Sequence, residues 1–217
     1  MDMKTSLTMP ESAAAQFQAD HSLSGGSGRP LSGSEATKYR LAEAVKICMK
    51  TTPVEDITVR SIVEKCGVTR QTFYRNFLDK YDLINWYFDK LLLKSFEHMG
   101  QGSTINEGLV RKFEYIRKER VFFTAAFKCD EQNNLKEHDF ELILAFYKKL
   151  IEEKSGRALS EELLFLLEFY CRGSIYMTVK WVLSGMKKTP EDEADMLVRS
   201  MPGELWTLVG ELGLLTP

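Results

Sequence analysis

Residues 57–83 read ITVRSIVEKCGVTRQTFYRNFLDKYDL, and their spacing sets the frame for the rest of the chain. Thr58 is a residue type that caps helix starts, and the residues behind it put Ile62 and Val63 together, so a short helix is expected from Thr58 to Lys65. Gly67 supplies the turn that follows, because a residue without Cβ enters the left-handed region at little cost. Thr69 caps a third short helix whose Phe73 and Phe77, four apart, share a face. Asp79 caps a longer helix carrying Leu83, Ile84, Tyr87, Phe88, Leu91 and Leu92. Upstream, from Ala36 onward, Leu41, Val45, Cys48 and Met49 mark one face of a first helix. Thr52-Pro53 ends it, because proline disfavours helix in the residue before it.

Two short helices joined by Cys66-Gly67-Val68 have the dimensions of a helix-turn-helix, whose second helix enters the major groove of DNA while the first crosses the backbone. Val63, Val68, Phe73 and Phe77 are then expected in the core. Arg70 and Gln71 occupy the first turn of the recognition helix, where arginine can bond guanine O6 and N7 and glutamine adenine N6 and N7. Arg60 reaches either a base edge or a phosphate. Thr58, Thr69, Tyr74 and Lys80 offer hydroxyls or a cation where phosphates are clamped. Each has a plainer alternative: Arg60 and Lys80 as solvated surface charges, Tyr74 as a core aromatic, Gln71 facing water.

The charge distribution agrees with a nucleic-acid-binding head. The 217 residues hold 29 basic and 31 acidic side chains, but residues 1–34 carry 2 and 3, residues 35–80 carry 9 and 6, and residues 81–217 carry 18 and 22. Local charges of −1, +3 and −4 describe a basic module joined to an acidic one. Residues 1–34 contain four Gly, seven Ser and two Pro and are expected to stay a disordered tail, with Arg29 as the one candidate for a minor-groove arm. A leader peptide and a membrane span are not expected, since the most apolar stretch, 163–183, is interrupted by Glu168, Arg172 and Lys180; the cytoplasm is the expected compartment. The four cysteines, at 48, 66, 129 and 171, have no metal-ligand spacing and read as reduced and mostly buried. No cofactor or metal is expected.

Beyond the break GQGST at 100–104, apolar residues recur at helical spacing and no alternating strand pattern appears. Helices are expected over about 105–118, 119–128, 133–155 and 160–185, then from Thr189-Pro190, with Pro202 splitting the last stretch. The chain is therefore read as all-α: a tail over 1–34, a three-helix DNA-binding domain over 35–80, and a helical regulatory and dimerisation domain over 81–217, with a helix over 79–98 shared. The thirteen aromatics from Phe113 to Trp181 are read chiefly as core. Arg172, in an apolar helix, binds an anionic effector or pairs with a body carboxylate. An effector site is expected around Phe113, Tyr147, Phe169, Arg172 and Tyr176. His98 and His138 are read as surface histidines. The apolar sides of 160–185 and 190–213, the latter with Leu197, Val198, Met201, Leu205, Trp206 and Val209, are expected to bury against a second subunit.

The combination ITVRSI, CGVTRQTFYRNF and DKYDL resembles the DNA-binding signature of the TetR family of bacterial transcriptional regulators over about residues 36–92. The resemblance implies a homodimer on a palindromic double-stranded operator, a three-helix head, and a divergent helical body that senses a small molecule or a protein. Carried over position by position, it marks Thr58, Arg60, Thr69, Arg70, Gln71, Tyr74 and Lys80 as DNA contacts. Asn76 stands where the family commonly has histidine and Tyr81 where it has glutamate. The stretches KYDLINWYF and FYCRGSIYMTVKWVLSGMKKTPEDEADMLVRSMP are similar to a Firmicutes-type subgroup that includes regulators of dihydroxyacetone kinase operons. The function expected is a repressor released by a small-molecule effector. The alternative is a DNA-binding activator controlled by a protein coactivator. A third reading, an enzyme in the helical body, finds no nucleophile–base pairing, phosphate loop or metal spacing in the sequence.

Overall fold

Ten α-helices and one 3-10 turn make up the computed structural model over the residues it describes, 33–129 and 134–215. Expectations for residues 1–32, the tail and the Arg29 arm among them, lie outside the described residues.

Caps start most of these helices where the sequence places them. Thr58 accepts from the Ser61 amide and Ser61 reciprocates to the Thr58 amide, a capping box that opens α2 (Val59–Cys66). Gly67, at φ +70°, ends α2 in the left-handed region. Thr69 accepts from the Thr72 amide and opens the five-residue α3 (Arg70–Tyr74). Asp79 accepts from the amides of Tyr81 and Asp82 at the start of α4 (Lys80–Phe96). Ahead of them, α1 (Gly33–Met49) begins three residues earlier than the spacing suggests and ends before Thr52. Its last carbonyls are satisfied by a turn through Lys50–Thr52, and a 3-10 turn over Val54–Asp56, absent from the sequence reading, follows Pro53.

The body contains α5 (Ile105–Lys118), α6 (Arg120–Lys128), α7 (Leu135–Ser155), α8 (Glu161–Leu183), α9 (Pro190–Arg199) and α10 (Gly203–Glu211). Thr104 and Glu107 form a second capping box on α5, and Ser160 and Thr189 cap α8 and α9. No strand occurs among the described residues, apart from an isolated bridge between Met99 and Ser103. No described helix is long and apolar enough to cross a membrane.

The small head core is closed by α1 packing on α2 and α4. Phe73 packs at a tilt against Phe77 at 6.0 Å, and Phe77 and Tyr39 meet Trp86 edge-on at 5.6 Å and 5.0 Å between ring centroids. Val63, Phe73 and Phe77 are buried as expected, whereas Val68 is half-exposed at the turn. The larger core lies where α4 packs on α5, α6 joins α7 and α8, and α9 lies along α5. Phe88, Phe113, Phe122, Phe123 and Phe127 fill it. Three of the aromatics read as core are exposed instead: Phe165, Phe169 and Tyr176 are each 68% accessible on the outer side of α8.

Candidate nucleic-acid interface

The first turn of α3 faces solvent with Arg70 and Gln71 side by side, followed one turn later by Tyr74, 58% exposed. Tyr74 is therefore not a core residue, although its ring leans edge-on against the buried Phe73 at 5.5 Å. With α3 only five residues long, these three side chains occupy nearly all of its outer surface. Arg75 follows them, also exposed; the sequence reading passed over it.

The other candidate contacts are held by local chemistry. Thr58 and Thr69 use a side-chain oxygen to accept from a backbone amide, and their hydroxyl groups stay at the surface. Arg60 is exposed and pairs through Nε with Glu64 one turn on, at 2.7 Å; such a surface pair is weakly stabilising and easily exchanged for another anion. Lys80 is more constrained than a solvated charge. Its ammonium donates to the carbonyls of Glu55 at 2.6 Å and Ile57 at 2.8 Å, pinning the 3-10 turn to the start of α4 and leaving one donor for an external anion. Asn76 donates to the Thr72 carbonyl and accepts from Ser34, so its amide serves the fold.

Behind this surface the head is tied to the body. The Lys46 ammonium on α1 lies 2.8 Å from Glu119 at the junction of α5 and α6 and 3.1 Å from the Tyr87 hydroxyl on α4. Burial alone would lower its pKa, but the hydrogen bonds it donates to Glu119 and Glu43 outweigh it and hold the charge on. On the far side of α4, Asp89 meets His138 of α7 at 2.6 Å. His138 is thus a half-buried tie between helices, not the surface histidine read from the sequence. Burial opposes its protonation, and the Asp89 carboxylate more than restores it, raising its pKa.

The five residues expected around an effector do not converge. Phe113 lies in the core edge-on to Trp181 at 5.1 Å, and Tyr147 is buried against Phe146 and Tyr170. Phe169, Arg172 and Tyr176 lie on the exposed side of α8, where Arg172 and Tyr176 line an open groove of about 620 Å³. Arg172 makes a forked pair with Glu137 of α7, one arm at 2.8 Å, and stacks on Phe140 at 3.4 Å to the ring centroid. Of the two roles open to it, the internal ion pair is the one it fills.

Two charged residues in the body escaped the sequence reading, although a signal existed. Asp139 interrupts the apolar stripe Leu135, Leu142, Phe146 on α7, and Lys112 interrupts Leu109, Phe113, Ile116 on α5; both side chains are buried. No group of three or more His, Cys, Asp or Glu that could hold a metal occurs among the described residues.

Residues 103–203 match the family model TetR_C_8, a transcriptional regulator C-terminal region. Among solved structures, the chain is similar to the dihydroxyacetone kinase operon activator DhaS, at 19% identity and a TM-score of 0.55, over 83% of this chain and 98% of that one. It is also similar to the TetR family repressor AlkX from Dietzia sp. strain DQ12-45-1b, implicated in biodegradation of n-alkanes, at 15% identity and a TM-score of 0.46, over 87% of this chain and 98% of that one. No curated protein sequence matches the chain.

Proposed function

We propose that this all-helical chain, whose residues 103–203 match a transcriptional regulator C-terminal region, is a TetR-type DNA-binding transcriptional regulator: a homodimeric repressor that occupies a palindromic operator and is released by a small-molecule effector bound in its body. The observation that carries this reading is the pairing of Arg70 and Gln71 on the open first turn of α3, two side chains suited to adjacent base edges. Thr58, Thr69, Tyr74 and the remaining donor of Lys80 flank them as phosphate contacts, with Arg60 free to leave Glu64 for a phosphate or a base. Repression is the simpler output, since a dimer seated on a promoter blocks it without touching polymerase.

The exposed aromatics of α8 support the dimer. Phe165, Phe169 and Tyr176 with Leu183, joined by Trp206 on the neighbouring α10, form an apolar stripe that water covers poorly. A second copy related by a twofold axis would bury it against itself and set the spacing of the two recognition helices. The division at about residue 80 into head and body gives α4 to both; over its 17 residues it spans about 25 Å. A tilt at its body end would move the DNA-facing Lys80 end and change the match to the half-sites.

Sedimentation equilibrium and gel shift with an inverted repeat from the DNA upstream of the coding sequence test this together. The wild type should sediment as a dimer and shift the full repeat far better than one half-site, and Phe169→Glu should sediment as a monomer and lose the full-repeat shift. A monomeric wild type, or a Phe169→Glu protein that still dimerises and binds, contradicts the reading.

A further inference from the structure

Several polar groups in the interior of the body are buried without the partners that burial demands. Both carboxylate oxygens of Asp139, 1% exposed, and the hydroxyls of Tyr147 and Tyr170 have no hydrogen-bond partner. Lys112, 4% exposed, makes no ion pair among the described residues and lies 5.9 Å from the centre of the Phe113 ring. Burial pushes the pKa of the Asp139 carboxyl up, the Lys112 ammonium opposes that shift without touching it, and the two line the same small cavity with Ser95, Thr178, Phe88 and Leu92. The hydroxyls of Ser95 and Thr178 already donate to helix carbonyls, so toward the cavity they can only accept. A folded chain keeps such groups unpaired when something else pairs them.

We propose that the cavity between Lys112 and Asp139 is the effector site, and that its ligand is a small uncharged molecule with a hydrogen-bond donor next to an acceptor: a vicinal diol, a hydroxy ester or an amide. This rests on the regulator reading above. The donor answers Asp139 and the acceptor answers Lys112. An anion would meet the Asp139 carboxylate and a cation the Lys112 ammonium, whereas a wholly apolar ligand would leave both charges as they are. A zwitterion would bring two further charges out of water, which the neutral ligand avoids.

The same site explains how occupancy reaches DNA. Its free volume is about 10 Å³, room for no more than a water molecule, so a ligand enters only by parting the walls. One wall is α4, through Phe88, Leu92 and Ser95; the others come from Lys112 on α5, Asp139 on α7 and Thr178 on α8. His138, beside Asp139 in the chain, holds Asp89 of the same α4. Displacement at the cavity therefore falls on the helix whose first residue, Lys80, anchors the head.

Calorimetric titration and thermal melting of the full chain with ethylene glycol, glycolamide and methyl glycolate test the site, with butanone, propionate, propylammonium and glycine as comparisons. At least one of the first three should titrate saturably into wild type and raise its melting temperature, and the comparisons should not. Asp139→Asn should weaken that binding about tenfold or more, while raising the melting temperature of the ligand-free protein, because it removes a buried ionisable group whose oxygens have no hydrogen-bond partner. Lys112→Met gives the same binding readout from the opposite wall if the first variant does not fold. Saturable binding unchanged in Asp139→Asn and Lys112→Met, binding by the comparison compounds only, or no binding by any of the first three overturns the proposal. Operator binding by the ligand-free wild type is measured alongside: its loss strikes the regulator reading, whereas its persistence with a failed titration strikes only the cavity.

Discussion

At the scale of single residues, the structure gives Lys80 a double role. A lysine that only met phosphate would leave the free protein unaffected when removed, but this ammonium also satisfies two backbone carbonyls more than twenty residues away. Lys80→Ala is therefore expected to lower folding stability by about 1–3 kcal/mol as well as to weaken binding to all DNA sequences and flatten its salt dependence. Chemical denaturation and salt-dependent binding on the same preparation separate the two effects; unchanged stability would return Lys80 to a simple surface cation. The carbonyls that Lys80 meets could not be read from the sequence, because they lie in and just after a 3-10 turn placed there by tertiary packing. The same holds for Arg172 with Glu137, 35 positions apart, and His138 with Asp89, 49 apart. Residue type told that these groups needed partners and left the partners open.

At the scale of helices, boundaries were legible because caps and stops are local chemistry. Thr58, Thr69, Asp79, Ser160 and Thr189 each cap the helix their type suggested, and Gly67 adopts the positive φ its turn needs. Which side of a helix turns inward was legible where polar residues mark the other side, as on α2 and α5. On α8, apolar residues run nearly all the way round, so Phe169 and Tyr176 could not be told from the buried Tyr170 and Ile175. Between helices, the His138–Asp89 tie from α7 to α4 carries a pH signature. His138 has its pKa raised by Asp89 above the ordinary 6.5, so its contribution to stability is fully present below 6.5 and is lost as pH rises through the folded value. The melting-temperature difference between wild type and His138→Gln should be largest on the acid side and shrink as the medium turns basic. A difference independent of pH would mean that the pair is held without the histidine's charge.

At the scale of the whole molecule, the basic head and acidic body differ in charge and share one helix. Lys46 ties α1 to Glu119 and Tyr87, and His138 ties α7 to α4, so the head is fastened to the body on both sides of α4. On the proposed regulator reading, movement of that helix would pass into the head, and a dimer would convert it into a change of half-site spacing. The claim on which this depends is that α3 reads base pairs. The most direct measurement compares the affinities of wild type and Arg70→Ala for the upstream inverted repeat and for a random duplex of equal length, at one fixed salt concentration. Wild type should prefer the repeat strongly, and Arg70→Ala should lose about 1–3 kcal/mol of that preference while binding the random duplex nearly as well as wild type. Equal losses on both duplexes, or no preference in the wild type, would contradict the assignment of α3 as the reading element.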